Sequence, residues 1–175
     1  MLSFIMRMFS TKPSSSLDQF KLFNPELGQG VTTKKSTIHY YDKLVDNFKE
    51  EHQLLLQYYM QVLQSLDEGN YKKAESRLSN FMKQLAHHIK SENTRLYVYL
   101  KDIHQESPEK LAYVSDMQKK MTSIFGAVSN ITAKYPTVDA NNAKALKKDF
   151  SALASILKER IENEETSLYT LYKMP

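Results

Sequence analysis

At 175 residues the chain suits a single domain that buries most of its unfolded surface in one core, and four glycines and five prolines favour helices over a turn-rich β fold. The absence of cysteine excludes disulfides, thiolate nucleophiles and thiolate-ligated clusters, so any metal must be held by histidine and carboxylate. The net charge of +4 is spread as lysines interleaved with Glu and Asp, the pattern of solvated helix faces rather than of a nucleic-acid footprint.

Residues 1–36 lack sustained periodicity and read as an irregular, flexible tail, with residues 37–175 forming the domain. Met1 to Phe9 is apolar but broken by Arg7 and lacks a small-residue cleavage site, so it makes a poor secretory signal. No acidic residue precedes Asp18, which gives a faint transit-peptide character, and Met6 and Met8 allow an alternative start. No run approaches the ~18 apolar residues of a membrane span. The expectation is a cytoplasmic protein.

From about Tyr40 to Leu66, the residues Leu44, Phe48, Leu55, Tyr59, Val62 and Leu66 recur at helical spacing, with His52 inside their stripe. Asp67-Glu68-Gly69-Asn70 supplies a turn. The second helix, from about Tyr71 to His104, carries Leu78, Phe81, Leu85, His88, Glu92 and Leu96 on one face. Ser107-Pro108 starts the third, as cap and first helical residue, and its stripe runs through Leu111, Val114, Met121, Ile124, Val128 and Ile131 without a histidine. Tyr135-Pro136 stops it. Asp139 or Thr137 can cap a fourth helix bearing Leu146, Phe150, Leu153, Leu157, Arg160, Glu164 and Leu168 on its stripe.

Four amphipathic helices with short connections predict an all-α, antiparallel up-down-up-down four-helix bundle. At ~1.5 Å per residue, His52, His88, Glu92, Met121 and Arg160 fall at one depth, midway along it. A repeat reinforces the pattern. Shifted by 72 residues, Leu85 aligns with Leu157, Ile89 with Ile161, Glu92 with Glu164, Thr94 with Thr166, Leu96 with Leu168 and Tyr97 with Tyr169, while His88 meets Arg160.

A helical His-x-x-x-Glu places imidazole and carboxylate one turn apart on one face, which suits joint binding of iron, manganese or zinc. The turn Leu66-Asp67-Glu68-Gly69-Asn70, the run Phe81-x-x-x-Leu85-x-x-His88-x-x-x-Glu92-x-x-x-Leu96-Tyr97 and the closing Ile161-x-x-Glu164-Glu165-x-x-Leu168-Tyr169-x-Leu171-Tyr172 resemble the hemerythrin-like (HHE cation-binding) domain family over about residues 40–172. The resemblance implies a di-iron site used for oxygen binding, iron handling or sensing, with His52, His88, Glu92 and Glu164 as carried-over ligands. Two expected histidines are missing: the third helix offers Lys119, Lys120 and Met121, and the fourth has Arg160.

Too few ligands then remain for an ordinary di-iron centre, and buried Glu92 and Glu164 need other compensation. Arg160, and Lys120 snorkelling from the helix edge, are expected to replace the metal's charge in a metal-free core, Arg160 gripping both carboxylates. A single divalent ion on His52, His88, Glu92 and Glu164 is the alternative. His87 points about 100° away from His88 and reads as a surface residue. Tyr97, Tyr99, Tyr169 and Tyr172 read as plugs of the bundle end, and the methionines as core filler.

Without a phosphate loop or an activated nucleophile, the expected role is non-catalytic binding or regulation. A second resemblance covers Leu44-Val45-Asp46, Leu54-Leu55 and Tyr58, Phe81-x-x-x-Leu85 with Leu96-Tyr97, and Asp149 through Leu157, Arg160 and Glu164, which are similar to the bacterial regulator of sigma D family. It implies a sigma factor as partner.

Overall fold

The computed structural model describes residues 39–174; the readings made for residues 1–36 lie outside it. Helix α1 spans Leu44–Asp67. Helix α2 (Tyr71–Ser91) passes through a π-helical stretch, Glu92–Leu96, into α3 (Tyr97–Ile103), so the second rod is continuous. Helix α4 spans Pro108–Lys134. The last rod consists of α5 (Ala143–Ser151), α6 (Ala154–Asn163), a second π stretch (Glu164–Leu168) and a 3₁₀ turn (Tyr169–Leu171). No strand occurs among the described residues, and none of the helices is long and apolar enough to cross a membrane.

The connections follow local chemistry. Gly69 takes φ +66°, a left-handed conformation that costs glycine little, and the Asn70 side chain accepts from the Lys73 amide at 3.3 Å to cap α2. Pro108 opens α4 as expected, but the Ser107 side chain makes no cap bond. Asp139, rather than Thr137, organises the last turn: its Oδ1 accepts from the amides of Asn141 and Asn142 at 2.8 and 3.1 Å. The fourth rod is not the single α-helix its stripe predicts. The Leu153 amide donates back to Phe150 rather than to residue 149, tightening one turn while Phe150 and Leu153 both stay buried.

Contacts pair residues as antiparallel neighbours do. Between the first and second rods, Ser65 meets Arg77 and Glu51 meets His88. Between the first and last, the matched pairs run Asp67 with Lys147, Tyr59 with Phe150, His52 with Glu165 and Tyr41 with Tyr172.

The apolar core falls into two blocks. One, rich in Leu85, Phe81, Val128, Leu146 and Phe150, fills the end near Gly69; the other gathers Leu44, Phe48, Leu96, Leu100, Val114 and Leu168 at the opposite end. His52, His88, Glu92, Arg160 and Glu164 are all buried at the level between them. An ionisable layer divides the hydrophobic core, so its internal pairing decides what it costs.

Candidate metal centre

Both carboxylates of this layer begin a π stretch. The Tyr97 amide donates to the Glu92 carbonyl and the Tyr169 amide to that of Glu164, each five residues back. The repeated threonines assist: Thr94 Oγ1 donates to the Lys90 carbonyl at 2.9 Å and Thr166 Oγ1 to that of Glu162 at 2.6 Å, each four residues earlier. Hydroxyls bonded to i−4 carbonyls loosen the α ladder locally.

The wider turn re-aims the tyrosines. In an unbroken α-helix, residues five apart diverge by about 140°, whereas a π turn returns them to one face. Tyr97 and Tyr169 therefore join the polar layer, contrary to their reading as end plugs. Tyr97 Oη accepts from Arg160 Nη2 at 2.5 Å, and Tyr169 Oη lies 3.4 Å from both His52 Nε2 and Glu92 Oε1. Tyr99 and Tyr172 do pack at the bundle end, Tyr172 stacked on Tyr40 and Tyr99 tilted against both.

The four predicted ligands converge. His52, His88, Glu92 and Glu164 each offer one donor atom, all within 4.8 Å of one another. His52 Nε2 stands 3.1 Å from Glu164 Oε2, and His88 Nε2 stands 3.8 Å from Glu92 Oε2. Two ligands at ~2.1 Å on opposite sides of an ion are ~4.2 Å apart, so a small inward movement closes the set.

Sequence reasoning missed Glu51 and Glu165. His88 Nδ1 bonds Glu51 Oε2 at 2.7 Å and His52 Nδ1 bonds Glu165 Oε1 at 2.9 Å. With its Nδ1–H engaged by a carboxylate, His88 keeps its Nε2 lone pair for the centre, the arrangement that orients metal-binding histidines; at His52 a metal ion would displace the proton shared between Nε2 and Glu164 Oε2 at 3.1 Å. Glu51 precedes His52 and Glu165 follows Glu164, so these carboxylates were visible as neighbours of candidate ligands but sat off their stripes.

Arg160, 4% exposed, contacts Glu164 Oε1 and donates to Tyr97. It does not grip both carboxylates as expected. Glu92 Oε1 lies 3.4 Å from the Tyr169 hydroxyl and the Glu92 carboxyl borders that of Glu164, while Glu92 Oε2 and His88 Nε2, 3.8 Å apart, have no hydrogen-bond partner. Lys120 is no part of the layer: its side chain is 64% exposed and pairs with Asp116 at 2.9 Å, one turn away on the same helix. From α4 the layer receives methionines, with Met117 Sδ 3.1 Å from Arg160 Nη1 and Met121 beside His52 and His88 on a cavity of about 20 Å³, room for one water. His87 is exposed, as read.

The titration directions follow. Burial, then the nearby Glu164 charge, pushes the Glu92 carboxyl well above its ordinary range against the opposing Arg160 charge. Burial also acts on Glu164, but His52 and Arg160 outweigh it and hold that carboxyl low. Burial depresses His88; in His52 burial is overcome by Glu164 and Glu165, so its pKa rises. The layer thus holds one compensated carboxylate, one carboxyl driven towards its neutral form and an imidazole nitrogen without a hydrogen bond. A cation placed among these groups reverses the penalty on Glu92 and gives His88 Nε2 a partner. Two imidazoles with two carboxylates form a donor set for iron, manganese or zinc.

A family model described as hemerythrin HHE cation binding domain matches residues 43–172. Comparison with curated proteins and with solved structures returned no match.

Proposed function

The chain belongs to the hemerythrin HHE cation-binding domain family, and from that premise we propose that it binds a single metal ion through His52, His88, Glu92 and Glu164, with Arg160 as a fixed cation beside it. The carrying observation is the pair of buried atoms without hydrogen bonds, Glu92 Oε2 and His88 Nε2, which Arg160 does not serve. A fully metal-free salt-bridge core, the sequence expectation, would leave these two atoms facing each other at 3.8 Å, too far for a hydrogen bond, at about 1–3 kcal/mol each.

One ion rather than two follows from the donors. The position repeating His88 holds a guanidinium, which stays protonated and cannot ligate, and α4 presents Met117 and Met121 instead of imidazole. A redox-active ion held by these four residues would supply electron exchange, whereas zinc would supply charge, rigidity and Lewis acidity. The protein's own groups exclude water with the apolar blocks, fix both imidazoles through Glu51 and Glu165, and hold Glu164 through Arg160. With neither an activated nucleophile nor a positioned acid–base pair at an open cleft among the described residues, the role we infer is non-catalytic: binding, storage or regulation keyed to metal.

Thermal unfolding of untagged protein tests this. Addition of Mn²⁺, Fe²⁺ or Zn²⁺ raises the melting temperature and a chelator reverses the shift, because binding to the folded state alone stabilises it by about 2.7 kcal/mol at a hundredfold excess over Kd. Equal melting with and without all three metals would refute the proposal.

A further inference from the structure

Outside the ligand cluster, the helix-four face of the bundle opens into a second feature. A groove of about 280 Å³ lies between α4 and α6, lined by Met117, Lys120, Ser123 and Ile124 on one side and Ile156, Glu159, Arg160 and Asn163 on the other. Positions three and four apart on each helix line it, as expected where two stripes diverge. Its size is at the small end of ligand clefts, which start near roughly 300 Å³.

Arg160 connects this groove to the buried layer. One terminal nitrogen, Nη2, serves Glu164 and Tyr97. The other nitrogens are poorly served: Nη1 meets only the thioether of Met117, itself a groove residue, and Nε has no partner at all. A thioether is a weak acceptor, so a buried guanidinium is left with N–H groups that lack an oxygen. At the mouth stands Lys120, exposed and sharing its charge only with Asp116. Lys120 and Arg160 are already paired, with Asp116 and Glu164, and Glu159 adds a negative charge, so what the groove offers an anion is the unserved N–H groups of the guanidinium, while Met117, Ile124 and Ile156 give it an apolar wall.

We propose that this groove binds a small organic monoanion, a short-chain carboxylate whose apolar body lies on Ile124, Ile156 and Met117 and whose head group is drawn to Arg160 and Lys120. The carboxylate supplies the oxygen acceptors that the guanidinium lacks, and the aliphatic chain covers the wall that solvent otherwise wets. The proposal concerns the groove face of Arg160 and does not require metal in the ligand cluster.

Hexanoate is the probe, with hexanol and hexylamine as controls, titrated into the full chain by calorimetry and by amide NMR. The expected result is saturable one-to-one hexanoate binding with shifts at Ile124, Ile156 and Ser123, and no saturation by either control. Ser123→Trp, which fills the groove from an exposed position without touching the buried layer, abolishes binding, and Lys120→Glu weakens it by about threefold or more. Circular dichroism of each variant establishes that it folds; if S123W does not, the control ligands and K120E still decide. The proposal is overturned if hexanoate fails to saturate, if hexanol or hexylamine binds as well, or if a folded S123W binds as the parent chain does.

Discussion

Arg160 on the fourth rod donates to the Tyr97 hydroxyl on the second at 2.5 Å, tying together the two copies of the internal repeat at the position where Arg160 stands in for His88. The guanidinium is buried, and Glu164 depends on it together with His52 for charge balance. Replacing Arg160 by Ala leaves that carboxylate with His52 alone and the Tyr97 hydroxyl without its donor. The expected loss is about 3–5 kcal/mol in urea unfolding, and part of it returns on metal addition because an ion compensates Glu164 in turn. A loss below about 1 kcal/mol would mean the pair is dispensable.

Glu51 and Glu165 touch the imidazoles through Nδ1 and are partly exposed, at 30% and 29%. Each Glu→Gln variant is expected to fold normally and to bind metal about 10–100-fold more weakly, because the amide no longer orients the ring as a carboxylate does. Competition against a chelator of known affinity measures this; unchanged affinity in both variants would remove these carboxylates from the account.

Restoring the missing donors is expected to change stoichiometry. The double variant Met117→His with Arg160→His places imidazoles where Met117 and Arg160 now meet, and elemental analysis of that variant is expected to rise towards two ions per chain. A value unchanged from the parent would show that the absence of a second ion has another cause.

Acid sensitivity is expected from a site far from the metal layer. Burial acts to raise the Asp149 carboxyl, but donors from Lys134 at 2.6 Å and Tyr135 at 2.8 Å outweigh it and hold the group below its ordinary value of 3.8. A depressed folded value means that the contribution is complete above pH 3.8 and disappears as pH falls through the folded value. Asp149→Asn is therefore expected to flatten the acid limb of stability measured against pH below about 4, with the difference from the parent largest near neutrality. Parallel curves for both proteins would contradict it.

The helical architecture was legible because each rod carries a long 3.6-residue stripe, and the same stripe placed His52, His88, Glu92 and Glu164 inward. What it hid came from departures from that period. The π turns at Glu92 and Glu164 swing Tyr97 and Tyr169 into the layer, where an α-helical wheel sends them elsewhere; the repeated Thr94 and Thr166 were the available signal. Glu51 and Glu165 lie beside stripe positions and reach the imidazole edges from the flank, which no single-face pattern registers. Lys120 failed for a related reason: its long stem could have snorkelled inward, but Asp116 one turn back satisfies the ammonium in solvent. The tightened turn at Leu153 carried no turn residue to announce it.

Elemental analysis of untagged protein, saturated with metal and freed of excess, addresses the central claim most directly. One ion per chain is expected in the parent protein, falling to near zero in His88→Ala and in Glu92→Gln. Two ions in the parent protein, no ion, or one ion retained by both variants would contradict a single-ion centre built on His52, His88, Glu92 and Glu164.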